Sequence, residues 1–323
     1  MQPDNPTVLN HEISYLRLSI TNNCDLGCIY CAPYRQSLDC STPPLSIDEI
    51  TKLVGSLARS GINKVRLTGG EPLVREDVIA IAKSISGISG IRTLALTTNG
   101  TQLAELAKDL KHAGVSRINI SLDSLDRETY HRITGQDKLQ SVLNGLDIAL
   151  NTGFEKVKIN AVVMKGINHR EVSALANLAR ELPVEVRFIE LMPLWHTAEQ
   201  WHKLYVPTSD MKQMIGDLIP EPFDGASSAR LYTFPDGKGQ IGFICPMSEN
   251  FCLSCNRIRV TSSGRLKPCL RLPVEYDIRY LLDASDIDDK LGELIHRINH
   301  QKLTGESVEM PSIQAETMCS IGG

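Results

Sequence analysis

A repeating strand–helix pattern is the feature that most restricts the fold of this chain. Short apolar runs alternate with helical segments from Tyr15 to Glu190, and the connecting loops are short. Such alternation predicts a parallel sheet covered by helices. The candidate strands are Tyr15–Thr21, Lys64–Thr68, Thr93–Thr97, Arg117–Ser121, Val157–Val163 and Glu185–Glu190.

Helical segments are predicted between these strands. One begins after Ser46, where the order Ser-Ile-Asp-Glu forms a capping box, and ends at Gly61. The other predicted helices are Arg75–Ser86, Thr101–Ala113, Gln140–Thr152 and Arg170–Leu182. The resulting βα units fit either a partial barrel or a doubly wound sheet.

The predicted strands carry polar residues at alternate positions, which favours the barrel. Strands buried on both faces usually consist of continuous apolar residues. Side chains two positions apart share a face, so one face of these strands is polar. Sheet-edge solvation or buried ion pairs could explain one such strand, but the pattern recurs in five strands. We therefore expect an α/β fold, a partial (β/α)6 TIM-like barrel whose wide lumen holds a charged ligand.

The strand–helix alternation ends after Pro193. Residues 195–222 are predicted to be helical and loop-rich, 230–270 to form short β elements, and 277–303 to be helical. We expect a barrel over residues 1–224 and a smaller C-terminal α+β domain over residues 225–323.

Composition and charge exclude several classes of function. The net charge is −4 and the pI is about 6.1, which argues against binding of bulk nucleic acid. No run approaches the ~18 apolar residues of a membrane span, and the polar N-terminus lacks a signal core. A cytoplasmic protein without a membrane partner is expected. Nine cysteines in such a protein indicate metal or redox chemistry rather than disulfides.

The first cysteine group is Cys24, Cys28 and Cys31, with the spacing C-x3-C-x2-C. It follows the first strand directly, at the end of a barrel where catalytic groups gather. Three thiolates can hold three irons of a [4Fe–4S] cluster and leave the fourth iron open to a small molecule. A zinc site that recruits Cys40 is the alternative, although no fourth ligand stands at zinc spacing.

The second group is Cys252, Cys255 and Cys269, with the spacing C-x2-C-x13-C. Cys245 lies seven residues upstream, and four thiolates would form a closed zinc site or a fully ligated cluster. The spacing does not decide between three and four ligands. Arg257 and Arg259 stand within this group, on one face of an extended segment. Their guanidinium groups suit a phosphate-rich ligand, although an isolated charged run is usually a solvated face.

A Gly-Gly turn follows the second predicted strand, in the order Thr68-Gly69-Gly70-Glu71-Pro72. Two glycines let a ligand approach the backbone, and the carboxylate of Glu71 can hold an ammonium group. Thr97 and Ser121 place hydroxyls at the same rim, although alone each is more typical of a turn or a helix cap.

These motifs together resemble those of a known family. The first cysteine group, followed by Gly-Gly-Glu-Pro after the second strand, resembles the radical S-adenosylmethionine (SAM) superfamily. The segment 251–270 and the terminal Gly322-Gly323 are similar to the MoaA family, the GTP 3′,8-cyclases that begin molybdenum cofactor biosynthesis. The resemblance extends from about Tyr15 to Gly323.

The resemblance implies two [4Fe–4S] clusters as cofactors, one on each cysteine group. The first would bind SAM at its open iron, and the second would bind the guanine of GTP. The residues implied around SAM are Tyr30, Gly69, Gly70, Glu71, Ser121 and Met192. The residues implied around GTP are Arg17, Lys64, Arg66, Thr97, Lys158, Arg187, Arg257 and Arg259.

The resemblance also implies the reaction and its partners. GTP would be converted to (8S)-3′,8-cyclo-7,8-dihydroguanosine 5′-triphosphate, with electrons from a reduced flavodoxin or ferredoxin-like donor, in a protein that could form a homodimer. Arg17 and a tail ending in Gly322 and Gly323 would serve catalysis, although a polar terminus is more often disordered. A related radical SAM enzyme acting on a peptide or another nucleotide is one alternative. A non-catalytic iron–sulfur or zinc module is the other, and Cys40, Cys245 and Cys319 have no assigned role.

Overall fold

The strand–helix alternation is confirmed in the structure, a computed structural model that describes residues 12–31, 42–193, 198–223, 227–249, 255–270 and 274–304. The first six strands lie within two residues of the predicted bounds. They are β1 Tyr15–Ser19, β2 Lys64–Thr68, β3 Thr93–Thr98, β4 Arg117–Ser121, β5 Lys156–Val163 and β6 Glu185–Glu190.

Helices connect these strands, as the sequence predicts, and one of them was not predicted. They are α1 Ile47–Arg59, α2 Val78–Ser86, α3 Leu103–His112, α4 Arg127–Thr134, α5 Leu139–Asn151 and α6 Val172–Glu181. The capping box at Ser46 is present, because its hydroxyl accepts from the amide of Glu49 and the Glu49 carboxylate accepts from the amide of Ser46. The helix α4 was missed: it is short, and few of its residues are buried.

The region after Pro193 contains short helices, short strands and one long helix. The helices are α7 Ala198–Leu204, α8 Thr208–Ile215 and α9 Ile287–Thr304. The strands are β7 Ile219–Pro220, β8 Arg230–Thr233, β9 Gln240–Ile244, β10 Arg257–Val260, β11 Arg265–Lys267 and β12 Tyr276–Asp277. Among the helices described, none combines the length and the apolar composition needed to cross a membrane.

All the strands form one sheet, in the order β12-β11-β10-β1-β2-β3-β4-β5-β6-β9-β8-β7. The strands from β10 through β1 to β6 and on to β9 are parallel to their neighbours. The chain after β6 therefore extends the parallel array at both edges, by β9 on one side and by β10 on the other. This pairing brings residues from the far end of the sequence beside β1. The boundary between residues 224 and 225 stays a prediction.

The apolar residues of the parallel strands share one face and pack with the helices in a single core. Each fully buried Leu, Ile, Val or Phe stabilises the fold by about 1.5–3 kcal/mol. The opposite face of the same strands carries the polar side chains. The strand residues in the core are Leu16, Leu18, Val65, Leu67, Leu94, Leu96, Ile118, Ile120, Val157, Ile159, Ala161, Val163, Val186, Phe188, Ile241, Phe243, Ile258 and Val260.

Candidate active site in the lumen of the sheet

Polar side chains form continuous rows across the inner face of the parallel array. Arg17 of β1 lies in register with Arg66 of β2 and with Arg259 of β10. Thr97, Asn119, Lys158 and Glu185 form a second row across β3, β4, β5 and β6. The polar lumen that the alternation predicts is therefore present in the fold.

Several lumen atoms are buried without a hydrogen-bond partner among the described residues. They are the side-chain carbonyl oxygens of Asn119 and Asn160 and the hydroxyl of Thr68. Leaving such a group unsatisfied costs about 1–3 kcal/mol. Their arrangement therefore fits a lumen that is completed by a polar ligand.

One wall of the lumen, formed by β10, β1 and β2, places cations around a tyrosine. The Tyr15 hydroxyl accepts a hydrogen bond from Nε of Arg66, and Nζ of Lys64 lies 4.4 Å from the ring centroid. Arg66 also donates to the Thr97 hydroxyl over 3.3 Å. Burial, together with the nearby charge of Arg259, lowers the pKa of Arg17 well below its ordinary value. This wall is a concentrated patch of positive charge.

The facing wall, formed by β5 and β6, contains a buried carboxylate. Glu185 is 1% exposed and pairs with Lys158 over 2.8 Å and with Lys156 over 2.7 Å. It also accepts from Nε of Arg187. Burial raises the pKa of Glu185, but Arg187 and Lys158 outweigh it and lower the pKa to about 2. Glu185 therefore stays ionised and orients two of the predicted substrate-binding cations.

The first cysteine group lies in the loop that leaves the carboxyl end of β1. Cys24, Cys28 and Cys31 are half-buried. Within the described ranges, no three His, Cys, Asp or Glu side chains are arranged to hold a metal ion. The three soft sulfur donors on one loop match the ligands of an iron–sulfur cluster.

The Gly-Gly turn after β2 packs directly against this loop. The amide of Gly70 donates to the Thr21 carbonyl over 2.8 Å, and a Cβ at Gly70 would lie 2.2 Å from the Asn23 carbonyl oxygen. A Cβ at Gly69 would meet the Thr21 carbonyl oxygen at 2.4 Å, and its φ of +150° also disfavours other residues. These glycines are required so that the turn can contact the backbone just before Cys24.

The Glu71 carboxylate joins the turns that follow β2 and β3. It accepts from the Thr98 hydroxyl over 2.7 Å and from the amides of Asn99 and Leu73. Burial raises the pKa of Glu71 to about 7 in spite of these donors. The predicted contact with an ammonium group stays a prediction.

Two carboxylates, Asp25 and Asp123, join the first cysteine loop to neighbouring parts of the sheet. Asp25 accepts from Nδ2 of Asn99 and from the Thr101 hydroxyl, both over 2.7 Å, and the same Asn99 nitrogen lies 3.9 Å from Sγ of Cys24. Asp123 accepts from the Tyr30 hydroxyl over 2.5 Å and from the amide of Val162, which ties the loop to β4 and β5. The supporting role of Asp25 was missed because its partners lie far along the chain.

The two described cysteines of the second group, Cys255 and Cys269, lie at the other end of the lumen. Cys255 precedes the amino end of β10, whereas Cys24 follows the carboxyl end of the parallel neighbour β1. Cys269 follows β11, which runs antiparallel to β10 and so returns to the same end. Cys255 and Cys269 therefore lie at the opposite end of the lumen from the first cysteine group, along strands that span about 16 Å at ~3.3 Å per residue.

Cations surround the described cysteines of the second group. Burial raises the pKa of Cys255, but the charges of Lys302 and Arg257 outweigh it and lower that pKa below the ordinary value. Lys302, in α9, also donates to the carbonyl oxygen of Arg257. The sequence did not indicate Lys302, which is distant from both cysteines along the chain.

Cys245 belongs to a different environment. It is 3% exposed, lies in the apolar core, and accepts a hydrogen bond from the Thr208 hydroxyl over 3.1 Å. Glu190 holds the surrounding segments, since it accepts from the amides of Thr208, Met247 and Ser248, each over 3.0 Å. Burial raises the pKa of Cys245, which favours its neutral thiol.

Comparisons with known proteins identify the family. The chain is 42% identical to the GTP 3′,8-cyclase of Clostridium acetobutylicum over 91% of its length and 94% of that protein. It is 44% identical to the GTP 3′,8-cyclase of Alkaliphilus metalliredigens over 97% of this chain and 98% of that one. The chain belongs to the GTP 3′,8-cyclase family.

Family models and a solved structure agree with this membership. Residues 18–179 match the radical SAM superfamily, and residues 184–308 match the family described as Molybdenum Cofactor Synthesis C. Streptococcus suis SuiB bound to S-adenosylmethionine has a TM-score of 0.61 at 14% identity, over 87% of this chain and 68% of that one. The SuiB likeness confirms the fold, and membership in the superfamily implies SAM and a [4Fe–4S] cluster.

Most of the site residues that the resemblance to this family implies lie within the described ranges. Ser121 ends β4, and Met192 follows the carboxyl end of β6, so both lie at the end of the sheet that carries the first cysteine group. The residues outside the described ranges are Cys40, Cys252, Cys319, Gly322 and Gly323.

Proposed function

We propose that the chain is a radical SAM enzyme that converts GTP to (8S)-3′,8-cyclo-7,8-dihydroguanosine 5′-triphosphate, the first step of molybdenum cofactor biosynthesis. The observation that carries this proposal is a lumen rich in cations, with Cys24, Cys28 and Cys31 at one end and Cys255 and Cys269 at the other. A nucleotide triphosphate in this lumen would have its phosphates among guanidinium and ammonium groups. The relatives that share nearly the whole chain are named for this reaction.

The first cluster would be held by Cys24, Cys28 and Cys31. This assignment is supported by their sulfur donors and by the rigid support that the Gly-Gly turn and Asp25 give to the loop. When bound, the cluster and SAM supply a 5′-deoxyadenosyl radical that abstracts hydrogen from the nucleotide ribose. SAM would lie beside Tyr30, Gly69, Gly70, Glu71, Ser121 and Met192.

A second [4Fe–4S] cluster would be held by Cys252, Cys255 and Cys269. Cys255 and Cys269 lie at the end of the lumen opposite the first group, where a ligand could contact both ends. Cys245 sits in the apolar core on Thr208, which favours three ligands over four. Held by these three thiolates, the second cluster would supply the contact to the guanine.

The substrate would be held by cations from both walls of the lumen. Arg66 and Thr97 are already joined by a hydrogen bond, and Glu185 fixes Lys158 and Arg187, so these groups are oriented before the nucleotide binds. Burial of the lumen excludes water from the radical step. The full set is Arg17, Lys64, Arg66, Thr97, Lys158, Arg187, Arg257 and Arg259.

The remaining predictions belong to the same proposal. Arg17 and the terminal Gly322 and Gly323 would assist catalysis. A reduced flavodoxin or a ferredoxin-like protein would supply electrons in the cytoplasm, and the chain could act as a homodimer. We also keep the division into a barrel, residues 1–224, and a C-terminal domain, residues 225–323.

The reaction is tested by anaerobic incubation of the reconstituted protein with SAM, dithionite and GTP, followed by mass spectrometry. Formation of 5′-deoxyadenosine together with the cyclic dihydro-GTP supports the proposal. Formation of 5′-deoxyadenosine without any product from GTP would instead identify a radical SAM enzyme with another substrate.

The clusters are tested by counting metals in matched cysteine variants. About eight irons and no zinc per chain are expected for two cubane clusters. Cys255→Ser should lose roughly half of the iron, whereas Cys245→Ser should retain it all. Equal losses in the two variants would mean that Cys245 is a fourth ligand.

A further inference from the structure

Tyr15 occupies an unusual place for a buried aromatic residue. It is the first residue of β1, is 7% exposed, and lies in register with Lys64 of β2 and Arg257 of β10. It shares its strand face with Arg17, so it points into the lumen rather than toward the helices. Tyr15 is therefore at the amino-terminal end of the lumen, on the wall formed by β10, β1 and β2.

Positive charges contact Tyr15 from each neighbouring strand. Nε of Arg66 donates to its hydroxyl, Nζ of Lys64 lies 4.4 Å from the ring centroid, and the guanidinium carbon of Arg257 lies 5.7 Å from it. Arg17, two positions along β1, adds a further charge. Such surroundings stabilise an anion on the phenol oxygen.

Arg66 connects Tyr15 to the proposed substrate site, because it bonds to both Tyr15 and Thr97. While Nε of Arg66 is held by Tyr15, its terminal nitrogen donates to the Thr97 hydroxyl over 3.3 Å and to the Leu96 carbonyl over 3.5 Å. The guanidinium plane is thus fixed from β1 and from β3. A phosphate that binds Arg66 must compete with the Tyr15 oxygen for the same charge.

We propose that Tyr15 is a positioning residue. Its phenolate serves as an internal counter-anion that holds Arg66 in place, and it takes up one proton from solvent when the triphosphate binds. This inference rests on the proposed function, because it needs an anionic nucleotide in the lumen. The only covalent change is formation of the phenolic O–H bond. The triphosphate then replaces the phenolate as the anion beside Arg66.

The titration of Tyr15 agrees with this geometry. Burial raises its pKa, but the charges of Arg66, Arg17 and Lys64 outweigh burial and lower the pKa to about 7. Above that pH the free enzyme carries the phenolate. A bound triphosphate repels the phenolate and raises the pKa again, so nucleotide binding should weaken by about fivefold between pH 7 and 8 and by about tenfold per pH unit above 8.

The test compares wild type with Tyr15→Phe, which keeps the ring and removes only the titrating hydroxyl. Tyr232→Phe is the matched control, because the Tyr232 hydroxyl also accepts from a cation, Nζ of Lys212, over 2.6 Å. Tyr232 lies in β8, which pairs antiparallel at the edge of the sheet. All three proteins are reconstituted with iron and sulfide, and equal iron content and SAM cleavage show that they are folded.

GTP binding is measured by anaerobic titration calorimetry from pH 6 to 9, in buffers that differ in ionisation enthalpy. Wild type and Tyr232→Phe should take up close to one more proton per GTP at pH 8 than Tyr15→Phe does. Their dissociation constant should also rise about fivefold more between pH 7 and 8. Other groups in the lumen, Lys158 among them, titrate in all three proteins and cancel in the difference.

Two results would overturn the inference, and they can be told apart. Equal proton uptake and parallel pH profiles in wild type and Tyr15→Phe, with GTP bound and cyclised, would reject the role of Tyr15 alone. Absence of GTP binding in wild type and in Tyr232→Phe would reject the proposed function, and with it this inference.

Discussion

The two walls of the lumen balance their cations in different ways. On the wall of β5 and β6, a buried carboxylate, Glu185, pairs permanently with Arg187 and also pairs with Lys158, whose pKa burial lowers to about 7. On the wall of β10, β1 and β2, the group that accepts from Arg66 is a tyrosine, which is an anion only above its pKa. One wall therefore carries a fixed anion that offsets part of its positive charge, whereas the other has only a titrating acid and keeps more of its charge for a ligand.

This difference assigns separate tasks to the two walls. A permanent ion pair stabilises and orients its cations but leaves them less charge to offer to a phosphate. A cluster of cations around a weak acid costs folding energy, which an anionic ligand returns on binding. The triphosphate is therefore expected beside β10, β1 and β2.

The largest expected effect is on stability, at the permanently paired wall. Glu185→Gln leaves the charges of Lys158 and Arg187 without their buried carboxylate, so it should destabilise the fold by about 3–5 kcal/mol. Chemical denaturation under anaerobic conditions measures this change. Glu155→Gln is the control, because Glu155 pairs with Arg117 over 3.4 Å at an exposed position, where about 0–1 kcal/mol is expected. Equal effects of the two substitutions would remove the distinction between the walls.

The next effect is on nucleotide affinity, at the wall of β10, β1 and β2. Arg259→Ala should weaken GTP binding by about ten- to a hundredfold, since it removes a charge-assisted hydrogen bond of about 1.5–3 kcal/mol. Lys156→Ala removes a cation that pairs with Glu185 on the facing wall, and should weaken binding by less than about fivefold. Calorimetry with GTP measures both variants, with SAM cleavage as the check on the first cluster. An equal or greater loss in Lys156→Ala would place the triphosphate on the other wall.

The cations of both walls could be predicted from the sequence, but the groups that pair with them could not. Alternation alone predicted the lumen and its cations, because a period of two is a local property of each strand. Tyr15 and Glu185 were not identified as partners of those cations. Tyr15 meets Arg66 across 51 residues of sequence, so their contact depends on strand register rather than on any local pattern.

The long-range pairing of the C-terminal strands could not be predicted from the sequence either. The short strands of residues 230–270 were predicted, but not that β9 and β10 would extend opposite edges of the parallel array. This pairing places Arg257 beside Tyr15 and Arg259 beside Arg17. The first cysteine motif, in contrast, could be recognised directly, because its ligand spacing is a property of a single loop.

The smallest expected effect is a pH dependence of stability that separates the two walls. The folded-state pKa of Tyr15, about 7, lies below its ordinary value of 10.0, so between these values the unfolded chain binds more protons than the folded one. Stability from Tyr15 is therefore fully present above pH 10 and is lost as the pH falls through 7. Without nucleotide, the free energy of unfolding of wild type should increase by roughly 1 kcal/mol more than that of Tyr15→Phe when the pH is raised from 7 to 8.

Denaturation at these two pH values, under anaerobic conditions and with equal iron content, measures that gain. Glu185 itself is ionised throughout this range because its pKa is about 2, but Glu185→Gln would also lower the pKa of Lys158, which is about 7, so this variant is left out of the slope comparison. Tyr232→Phe should keep both the wild-type slope and the overall stability. If Tyr15→Phe shows the wild-type slope, the Tyr15 hydroxyl stays protonated over this range, and the wall of β10, β1 and β2 holds its cations without a titrating counter-anion.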